Sequence, residues 1–466
     1  MAGTLSFAPP PTFNHQQLQR SKKPIKIHNS LDSVLHYLQA LTAQSSPPSK
    51  ITFISAMKAC SLPSTIPVGK SIHAHIIKFG FQSDRFIATS VITFYSSSNL
   101  LNFARQLFDE IPHKDPPLVT TMLLAYFKSG DIANARILFD KTDDKDVIVW
   151  NAMLGGYVQC CLPDKALELF REMQNSKVIP NEVTLINVLS ACSMMGCVEF
   201  GEWVHAYIER QFGVLSNSTV NNSLLNMYSK CGRLDLAFEL FLVSQCKNLE
   251  TWNTMLTGFA IHGHASEALS LFSQMIKLGS LPDSITFVVL VMAFCHRGMV
   301  DDARCCFNCM TTLYGIEPDA KHVNCMVDVL SRGGYLDEAY ILIENMPFEG
   351  DTYAWGALLS GCFTYKNYEL GLNVARRLLE LEPRAEGRYV ALLNLYSLVG
   401  RIEDAIKLRK MMDEMGIKQS SGISVIEVDG VFHGFIAGDS SHAESKDIYT
   451  MIHNILPNLD VNGQLC

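Results

Sequence analysis

Small and apolar residues recur along this chain in a fixed short pattern. In its clearest examples a small residue opens a run of five that closes with two large apolar residues: Ala135–Phe139, Ala166–Phe170, Ala237–Phe241 and Ala268–Phe272. We call the small residue the anchor residue, and the anchor residues are Gly69, Ala104, Ala135, Ala166, Gly201, Ala237, Ala268, Ala303, Ala339, Gly371 and Ala405. Their spacing stays between 31 and 36 residues. Such a regular recurrence predicts a repeat protein.

Two helices are predicted in each repeat. The first begins with an apolar run, such as Trp150–Leu154 or Trp252–Leu256, and ends near a glycine that suits a left-handed cap. The second begins beside an acidic residue, which is favourable at the positive end of a helix, and its anchor residue lets the paired helix approach closely. The glycines are Gly130, Gly232, Gly298 and Gly333, and the acids are Asp131, Asp164, Asp235, Asp301 and Asp337.

One helical pair cannot bury its apolar face alone, so the pairs must stack on each other. The sequence therefore predicts an all-α fold, an α-solenoid superhelix of helix-turn-helix repeats with a continuous groove. A strand pattern is present only near the C-terminal end. There, Val425–Val428 and Val431–Ile436 flank Asp429 and Gly430 and predict a β-hairpin in a small C-terminal extension.

The lengths of the repeats distinguish two families of helical pairs. Tetratricopeptide arrays repeat at about 34 residues and carry a Trp-x-x-Leu-Gly-x-x-Tyr first helix, which this chain lacks. Its lengths cycle through 35, 31 and 36, with long repeats marked by Phe53–Cys60 and Gly69–His73 and short ones by Leu225–Gly232. This alternation resembles the plant pentatricopeptide repeat family, in its class of long, short and standard (PLS) repeats. Nine repeats are assigned within 50–351: 50–84, 85–115, 116–146, 147–181, 182–217, 218–248, 249–283, 284–319 and 320–351.

The residues after 351 resemble the extension motifs of the same family. Trp355–Leu359 through Leu379–Pro383 resembles the first of these motifs. Tyr389–Met412 together with Gly422–Val428 resembles the second. We therefore assign 352–428 to the E motifs, which are helical pairs similar to the repeats.

A further segment, 429–457, resembles the short region that follows the E motifs in the extended-E (E+) subgroup. The resemblance rests on Phe432–Phe435 and Gly438–His442, although Ala443 stands where the family usually has proline. The last residues, 458–466, are assigned to a tail. Family members with a DYW deaminase domain continue past this point, so we expect no such domain here.

Two patterns imitate zinc sites. His442 and Glu444 match the His-x-Glu of zinc deaminases, but that site also needs a downstream Pro-Cys-x-x-Cys, which is missing. The second pattern has the spacing of a zinc finger and comprises Cys306, Cys309, His322 and Cys325. These residues fall on predicted helices, where cysteine acts as a small core hydrophobe. We expect no metal, no cofactor and no enzymatic activity.

Composition limits the remaining classes of protein. Among the 466 residues, 48% are apolar and 18% charged, which excludes wholesale disorder. The net charge of −8 provides no overall basic coat for binding nucleic acid. No uninterrupted apolar run reaches the length of about 18 residues that a membrane span needs.

The N-terminal residues have the composition of a targeting sequence. The first 31 residues contain no acid, which is typical of organelle transit peptides. We assign 1–30 to a transit peptide and 31–49 to an N-terminal helix or linker; a plain disordered tail is the alternative. Pro9 to Pro11 favour an extended start, which indicates a chloroplast rather than a mitochondrial destination.

The resemblance implies that each repeat binds one RNA base through a few side chains. In the family these are the fifth residue and the last residue of a repeat. In this chain the pairs are Thr89 with Asp115, Thr120 with Asp146, Asn151 with Asn181, Asn222 with Asn248, Asn253 with Asp283, and Asn324 with Asp351. All twelve side chains are short and polar.

Hydrogen-bonding capacity relates these pairs to bases. A carboxylate only accepts, which suits the ring N–H of U or G, whereas an amide can donate to the ring nitrogen of A or C. The family pattern adds that a fifth Thr favours purines and a fifth Asn favours pyrimidines. From 5′ to 3′, the repeats from 85–115 onward are expected to face G, G, C, gap, C, U, gap and U. The gaps are long repeats with Ile186 and Val288, and Ile54 makes the first repeat silent. Alternatively, Asn or Asp at these turns only caps the next helix.

The sequence thus indicates a protein that binds single-stranded organellar RNA. By resemblance it is a site-recognition factor for C-to-U editing, with the edited C a few nucleotides 3′ of the last recognised base and a deaminase supplied in trans. One alternative is an RNA stabilisation, splicing or translation factor. Another is a protein-binding helical scaffold.

Overall fold

The structure is a computed structural model that describes residues 48–60, 65–82, 84–112, 114–212, 218–244, 247–295, 298–345, 351–417, 423–428, 431–436 and 444–455. Helices alternate between two roles, which we call A and B. The A helices are α1 (Lys50–Ala59), α3 (Arg85–Ser97), α5 (Pro116–Lys128), α7 (Val147–Gln159), α9 (Glu182–Met195), α11 (Ser218–Lys230), α13 (Leu249–Ile261), α15 (Ser284–Cys295), α17 (Ala320–Arg332), α19 (Thr352–Thr364) and α21 (Glu386–Leu398). The B helices are α2 (Ile66–Lys78), α4 (Leu101–Glu110), α6 (Ile132–Lys141), α8 (Pro163–Asn175), α10 (Val198–Phe212), α12 (Leu234–Val243), α14 (Ala265–Lys277), α16 (Val300–Thr312), α18 (Leu336–Glu344), α20 (Tyr368–Leu381) and α22 (Ile402–Glu414).

The chain divides into two compact units, Met1–His322 and Val323–Cys466. In the first unit each A helix packs against its own B helix and against the next A helix along the chain. Among the described residues, no comparable packing joins successive B helices. The A helices therefore form the more closely packed layer of this unit, and the B helices form a second layer against it. The predicted all-α fold of stacked helical pairs is confirmed.

Anchor residues lie where two helices come closest. Ala104, Ala135, Ala166 and Ala237 are completely buried on their B helices. At Gly69 even a single added carbon would lie 2.2 Å from the ring of Phe94 on the following A helix. A larger side chain at these positions would separate the two layers, which explains why the sequence pattern returns to Ala or Gly.

One predicted helix cap is wrong by a single residue. Helix α17 ends at Arg332, and the residue with a left-handed backbone is Gly334 (φ 83°), not Gly333. In α5 and α11 the left-handed glycine also follows the last helical residue by two positions, as Gly130 and Gly232. Because Gly333 and Gly334 are adjacent, the sequence does not show which of the two adopts the left-handed conformation.

The second compact unit contains further helical pairs and a hairpin. Consecutive helices from α18 to α22 pack on one another. Strands β1 (Ile423–Val428) and β2 (Val431–Ile436) then pair antiparallel, with Val428 opposite Val431. Helix α23 (Ser445–Ile455) follows.

Several predicted segments fall outside the described residues. These are the predicted transit peptide 1–30, nearly all of 31–49, the tail 458–466, and the hairpin turn at Asp429 and Gly430. Within the residues that are described, no helix combines the length and the apolar character needed to cross a bilayer.

Adjacent glycines of α7 provide a test of the packing between A helices. A carbon added at Gly156 would lie 2.1 Å from the Phe127 ring of α5, whereas one added at Gly155 meets only the Asn187 side chain, at 3.6 Å. We expect Gly156→Ala to destabilise the protein by about 1–3 kcal/mol through overpacking. Gly155→Ala should be neutral or stabilise it by up to about 1 kcal/mol, because alanine favours helix.

Urea unfolding followed by circular dichroism measures both variants. Equal midpoints for the two would show that α5 and α7 are not packed as closely as described.

Candidate nucleic-acid interface

The six final residues of the candidate pairs all precede A helices and accept hydrogen bonds from the first turn. Oδ1 of Asp146 accepts from the backbone N–H groups of Ile148 and Val149, both at 3.0 Å. Oδ1 of Asn181 accepts from the N–H of Thr184 at 3.1 Å. The same bond is made by Asp115, Asn248, Asp283 and Asp351. Helix capping, the alternative derived from the sequence, is therefore one function of these side chains.

Capping occupies only one of the two polar atoms at the end of each side chain. Among the described residues, Oδ2 of Asp146 and of Asp283, and Nδ2 of Asn181 and of Asn248, have no hydrogen-bond partner. The atom that distinguishes Asp from Asn thus has no hydrogen-bond partner in the described structure at these four positions. At Asp115 the second oxygen lies 3.7 Å from the Arg85 guanidinium.

Three fifth residues are hydrogen-bonded directly to the final residue of the same repeat. In the first compact unit, Nδ2 of Asn151 donates to Oδ1 of Asn181 at 2.9 Å, and Nδ2 of Asn253 donates to Oδ1 of Asp283 at 3.0 Å. In the second unit, Nδ2 of Asn324 donates to Oδ2 of Asp351 at 2.7 Å. In each of these pairs, which we call joined pairs, the two polar side chains are held together by a hydrogen bond.

The other three pairs are not joined by hydrogen bonds in the described structure. The hydroxyl of Thr89 donates to the carbonyl of Arg85 at 2.7 Å. The hydroxyl of Thr120 is buried without a partner. Asn222 is only 5% exposed, and both of its polar side-chain atoms lack a partner.

The long repeats have a different surface at the fifth position. Ile54, Ile186 and Val288 are half-buried there and offer no side-chain hydrogen bond. In the first of these repeats, Asp84 is paired with the Lys50 ammonium at 2.6 Å. Partial burial opposes ionisation of Asp84, but Lys50 and the N–H groups of the next helix outweigh it and lower its pKa. The silent role predicted for these repeats stays a prediction.

An additional row of side chains was not identified from the sequence. In the first compact unit, the second residue of five A helices is a large apolar side chain that is 52% to 76% exposed. These residues are Ile51, Phe86, Ile148, Val183 and Ile285. Each lies one helical turn before the fifth residue and so on the same helix face. An apolar residue in the first turn, two positions after a capping residue, was the sequence signal available for this row.

The zinc-like patterns form no metal site in the described part of the chain. No group of three or more His, Cys, Asp or Glu residues there is placed to hold a metal ion. Burial raises the pKa of the Cys306 thiol, which disfavours the thiolate that zinc requires. The two nitrogens of His322 contact Asp319 and the carbonyl of Ser284. His442 lies outside the described residues.

Comparison with known proteins identifies the repeats. The pentatricopeptide repeat (PPR) models match residues 145–194, 222–248, 247–296, 285–313 and 322–351. Pentatricopeptide repeat-containing protein At5g56310 of Arabidopsis thaliana is 34% identical over 488 residues, covering 98% of this chain and 85% of the relative. The chain belongs to the pentatricopeptide repeat family. An E motif match at 365–427 and the alternating repeat lengths place it in the PLS class, E type.

Other PPR proteins are similar over nearly the same span. The Arabidopsis protein At1g08070, chloroplastic, is 36% identical over 89% of this chain, and At2g22410, mitochondrial, is 39% identical over 91%. The chain spans only 52% and 62% of the length of these two relatives. The crystal structure of PPR10 from maize covers 83% of this chain and 62% of its own chain, with 16% identity and a TM-score of 0.45.

Capping by Asp146 can be tested separately from any RNA contact. Asp146→Asn keeps the accepting oxygen, so the free energy of unfolding should change little, because Asn and Asp are nearly equal as caps. Asp146→Ala removes the oxygen and should cost about 1 kcal/mol. Thermal unfolding monitored by circular dichroism compares the two variants. A large loss for Asp146→Asn would mean that the second carboxylate oxygen also stabilises the fold.

Proposed function

We propose that this PPR protein binds single-stranded RNA through its A helices and selects the site of C-to-U editing in an organellar transcript. A deaminase supplied in trans then performs the reaction. The observation that carries the proposal is which donors and acceptors of the hydrogen-bonded pairs have no partner within the protein. In two repeats of the first compact unit, this pattern complements one pyrimidine better than the other.

The repeat 147–181 presents donors. One Nδ2 hydrogen of Asn151 is held by Oδ1 of Asn181, so the second remains available. Because Asn181 caps α9 through its oxygen, its own Nδ2 is available as well. Cytosine presents two neighbouring acceptors, N3 and O2. The pair is therefore complementary to C, which supports the base proposed for this repeat.

The repeat 249–283 presents one donor and one acceptor. The second Nδ2 hydrogen of Asn253 is again available, whereas Asp283 offers Oδ2, which can only accept. Uracil has a donor at N3 beside a carbonyl acceptor. The same geometry with a carboxylate in place of an amide therefore matches U instead of C.

The exposed apolar row adds affinity that does not depend on sequence. Bases stack on exposed aromatic side chains such as Phe86, a contact worth about 1–3 kcal/mol per base. The aliphatic members of the row offer apolar contact with the faces of the bases. Ile148 lies one turn before Asn151, so a base bound by the pair can contact both side chains. With a net charge of −8, binding should rest on these contacts more than on phosphates. A shallow dependence of affinity on salt is the expected consequence.

Editing rather than another RNA process is supported by the E motif match at 365–427. In this proposal, the E motifs and the hairpin of β1 and β2 dock the deaminase. The chloroplast is the proposed destination and the mitochondrion the alternative; similar proteins carry both designations. Editing status across organellar transcripts in a loss-of-function plant tests this assignment. Loss of one edited site supports it, whereas altered transcript level, splicing or translation with intact editing favours the other RNA roles.

RNA binding itself is tested with a designed oligonucleotide. The oligonucleotide carries GGCNCUNU, where N faces a long repeat, and its control has C and U exchanged. We expect tighter binding to the first by fluorescence anisotropy. Absence of binding to either would support the protein-scaffold alternative.

A single substitution tests the recognition rule. Asp283→Asn replaces an accepting oxygen by a donating amide while the capping oxygen remains, so the preference at that base should move from U toward C. The change should be about tenfold in the ratio of affinities, since one well-placed contact discriminates by about 1–3 kcal/mol.

The matched control is Glu239→Gln, which makes the same chemical change on an exposed face of the B helix α12. Anisotropy titrations with RNAs differing only at that base give the ratio. An unchanged U preference in Asp283→Asn would remove base recognition by this residue.

A further inference from the structure

Two buried threonines contact the joined pairs from the following long repeat. Thr184 and Thr286 are the third residues of α9 and α15, and both are completely buried. The Thr184 hydroxyl oxygen lies 2.7 Å from Oδ1 of Asn151. The Thr286 hydroxyl oxygen lies 2.7 Å from Oδ1 of Asn253. Each of these two long repeats, 182–217 and 284–319, therefore contacts the fifth residue of the repeat before it.

The donor and acceptor capacity of each group determines the direction of these hydrogen bonds. The Asp283 carboxylate only accepts, so Asn253 must face it with Nδ2 and turn Oδ1 toward Thr286. The backbone N–H of Asp283 donates to the Thr286 oxygen at 3.1 Å. The hydroxyl hydrogen faces two acceptors, Oδ1 of Asn253 at 2.7 Å and Oδ1 of Asp283 at 2.9 Å, and the shorter contact is the one to Asn253. The threonine thus accepts on one side and donates on the other.

The same assignment of donors and acceptors applies to the pair of repeat 147–181. Oδ1 of Asn181 is identified as oxygen because it accepts from the backbone of α9. Asn151 therefore faces it with Nδ2 and turns Oδ1 toward the Thr184 hydroxyl. The backbone N–H of Asn181 donates to Thr184 at 3.1 Å. Two independent repeats build the same three-residue network.

We propose that Thr184 and Thr286 are positioning residues for base recognition, an inference that rests on the proposed function. Each hydroxyl holds the amide oxygen of the preceding Asn inward, so that a donating hydrogen faces the base. The long repeats, although their own fifth residue is apolar, thereby set the specificity of the repeat before them. Without the hydroxyl, the buried oxygen loses its donor, and turning it outward would present an acceptor to the base.

The chain contains two natural comparisons. Thr251 occupies the same position in α13 and is 1% exposed. Its hydroxyl contacts the cap Asn248, as those of Thr184 and Thr286 contact their caps, but it makes no hydrogen bond with Asn222 in the described structure. In the second compact unit, α19 has Ala354 at this position, and Oδ1 of Asn324 is buried without a partner. Asn324 also donates Nδ2 to its final residue, so the threonine hydroxyl of the long repeats adds a donor to the buried Oδ1 that Asn324 lacks.

The experiment compares Thr286→Val, Thr286→Ser and Thr251→Val in the full chain. RNAs that differ only at the base facing 249–283 are titrated by fluorescence anisotropy, and unfolding midpoints are recorded for each variant. We expect the unmodified protein to prefer U over C by about tenfold. Thr286→Val should reduce this ratio to within about threefold. Thr286→Ser, which keeps the hydroxyl, and Thr251→Val, which loses a comparable buried hydroxyl, should both retain the ratio.

The outcomes separate the inference from the proposed function. A Thr286→Val protein with an unchanged U:C ratio overturns the inference and leaves base recognition intact. An equal loss of the ratio in Thr251→Val also overturns it, because the effect would then follow stability alone. An unmodified protein that binds RNA without any base preference overturns the proposed function itself. If Thr286→Val does not fold, Thr184→Val applies the same test at the base facing 147–181.

Discussion

The hydrogen bond from the first turn of an A helix to the side chain before it, made at most of the described A helices, is the interaction on which the fold and the proposed recognition depend. Every A helix begins with backbone N–H groups that have no partner within the helix. A short side-chain oxygen just before the helix satisfies them, as Asp146 and Asn181 do. Because Asn and Asp cap helices about equally well, exchanging one for the other changes the free energy of unfolding little. In the proposed function, this capping residue can therefore change with the base without a large cost in stability.

This separation of tasks explains how one side chain serves two purposes. One oxygen is committed to the helix, and the second atom, oxygen in Asp283 or nitrogen in Asn181, is left open. The backbone of the next repeat fixes which atom is committed, so the open atom has a defined identity and position. In this scheme a helix cap and a base contact do not compete but depend on each other.

The general fold could be predicted from the sequence because its signals are local and repeated. Anchor residues, capping residues and apolar runs recur often enough that single errors, such as Gly333 for Gly334, do not disturb the pattern. The hairpin signal around Asp429 likewise corresponds to two paired strands. These features depend on residues close together in the chain.

The finer arrangement of the site could not be predicted in this way. Whether a fifth residue contacts its final residue depends on side chains about 30 positions apart and on the packing between helices. The sequence treats Asn151 and Asn222 alike, yet Asn151 is joined to Asn181 and Asn222 is buried without a partner. The role of Thr184 was hidden for the same reason, since it acts on the preceding repeat. Ile148 was overlooked because one exposed apolar residue is unremarkable until others line up with it.

Unsatisfied polar atoms occur at several of the candidate fifth residues, which supports the proposed recognition. Eight buried side-chain atoms lack a partner in the described structure, and four of them belong to Thr120, Asn222 and Asn324, all candidate fifth residues. Burying such an atom without a partner costs about 1–3 kcal/mol. Stability alone would favour apolar residues there, and the long repeats show that Ile186 and Val288 fit the same position. Polar residues that the fold does not satisfy are consistent with a partner that supplies the missing hydrogen bonds, and a base edge has both donors and acceptors to do so.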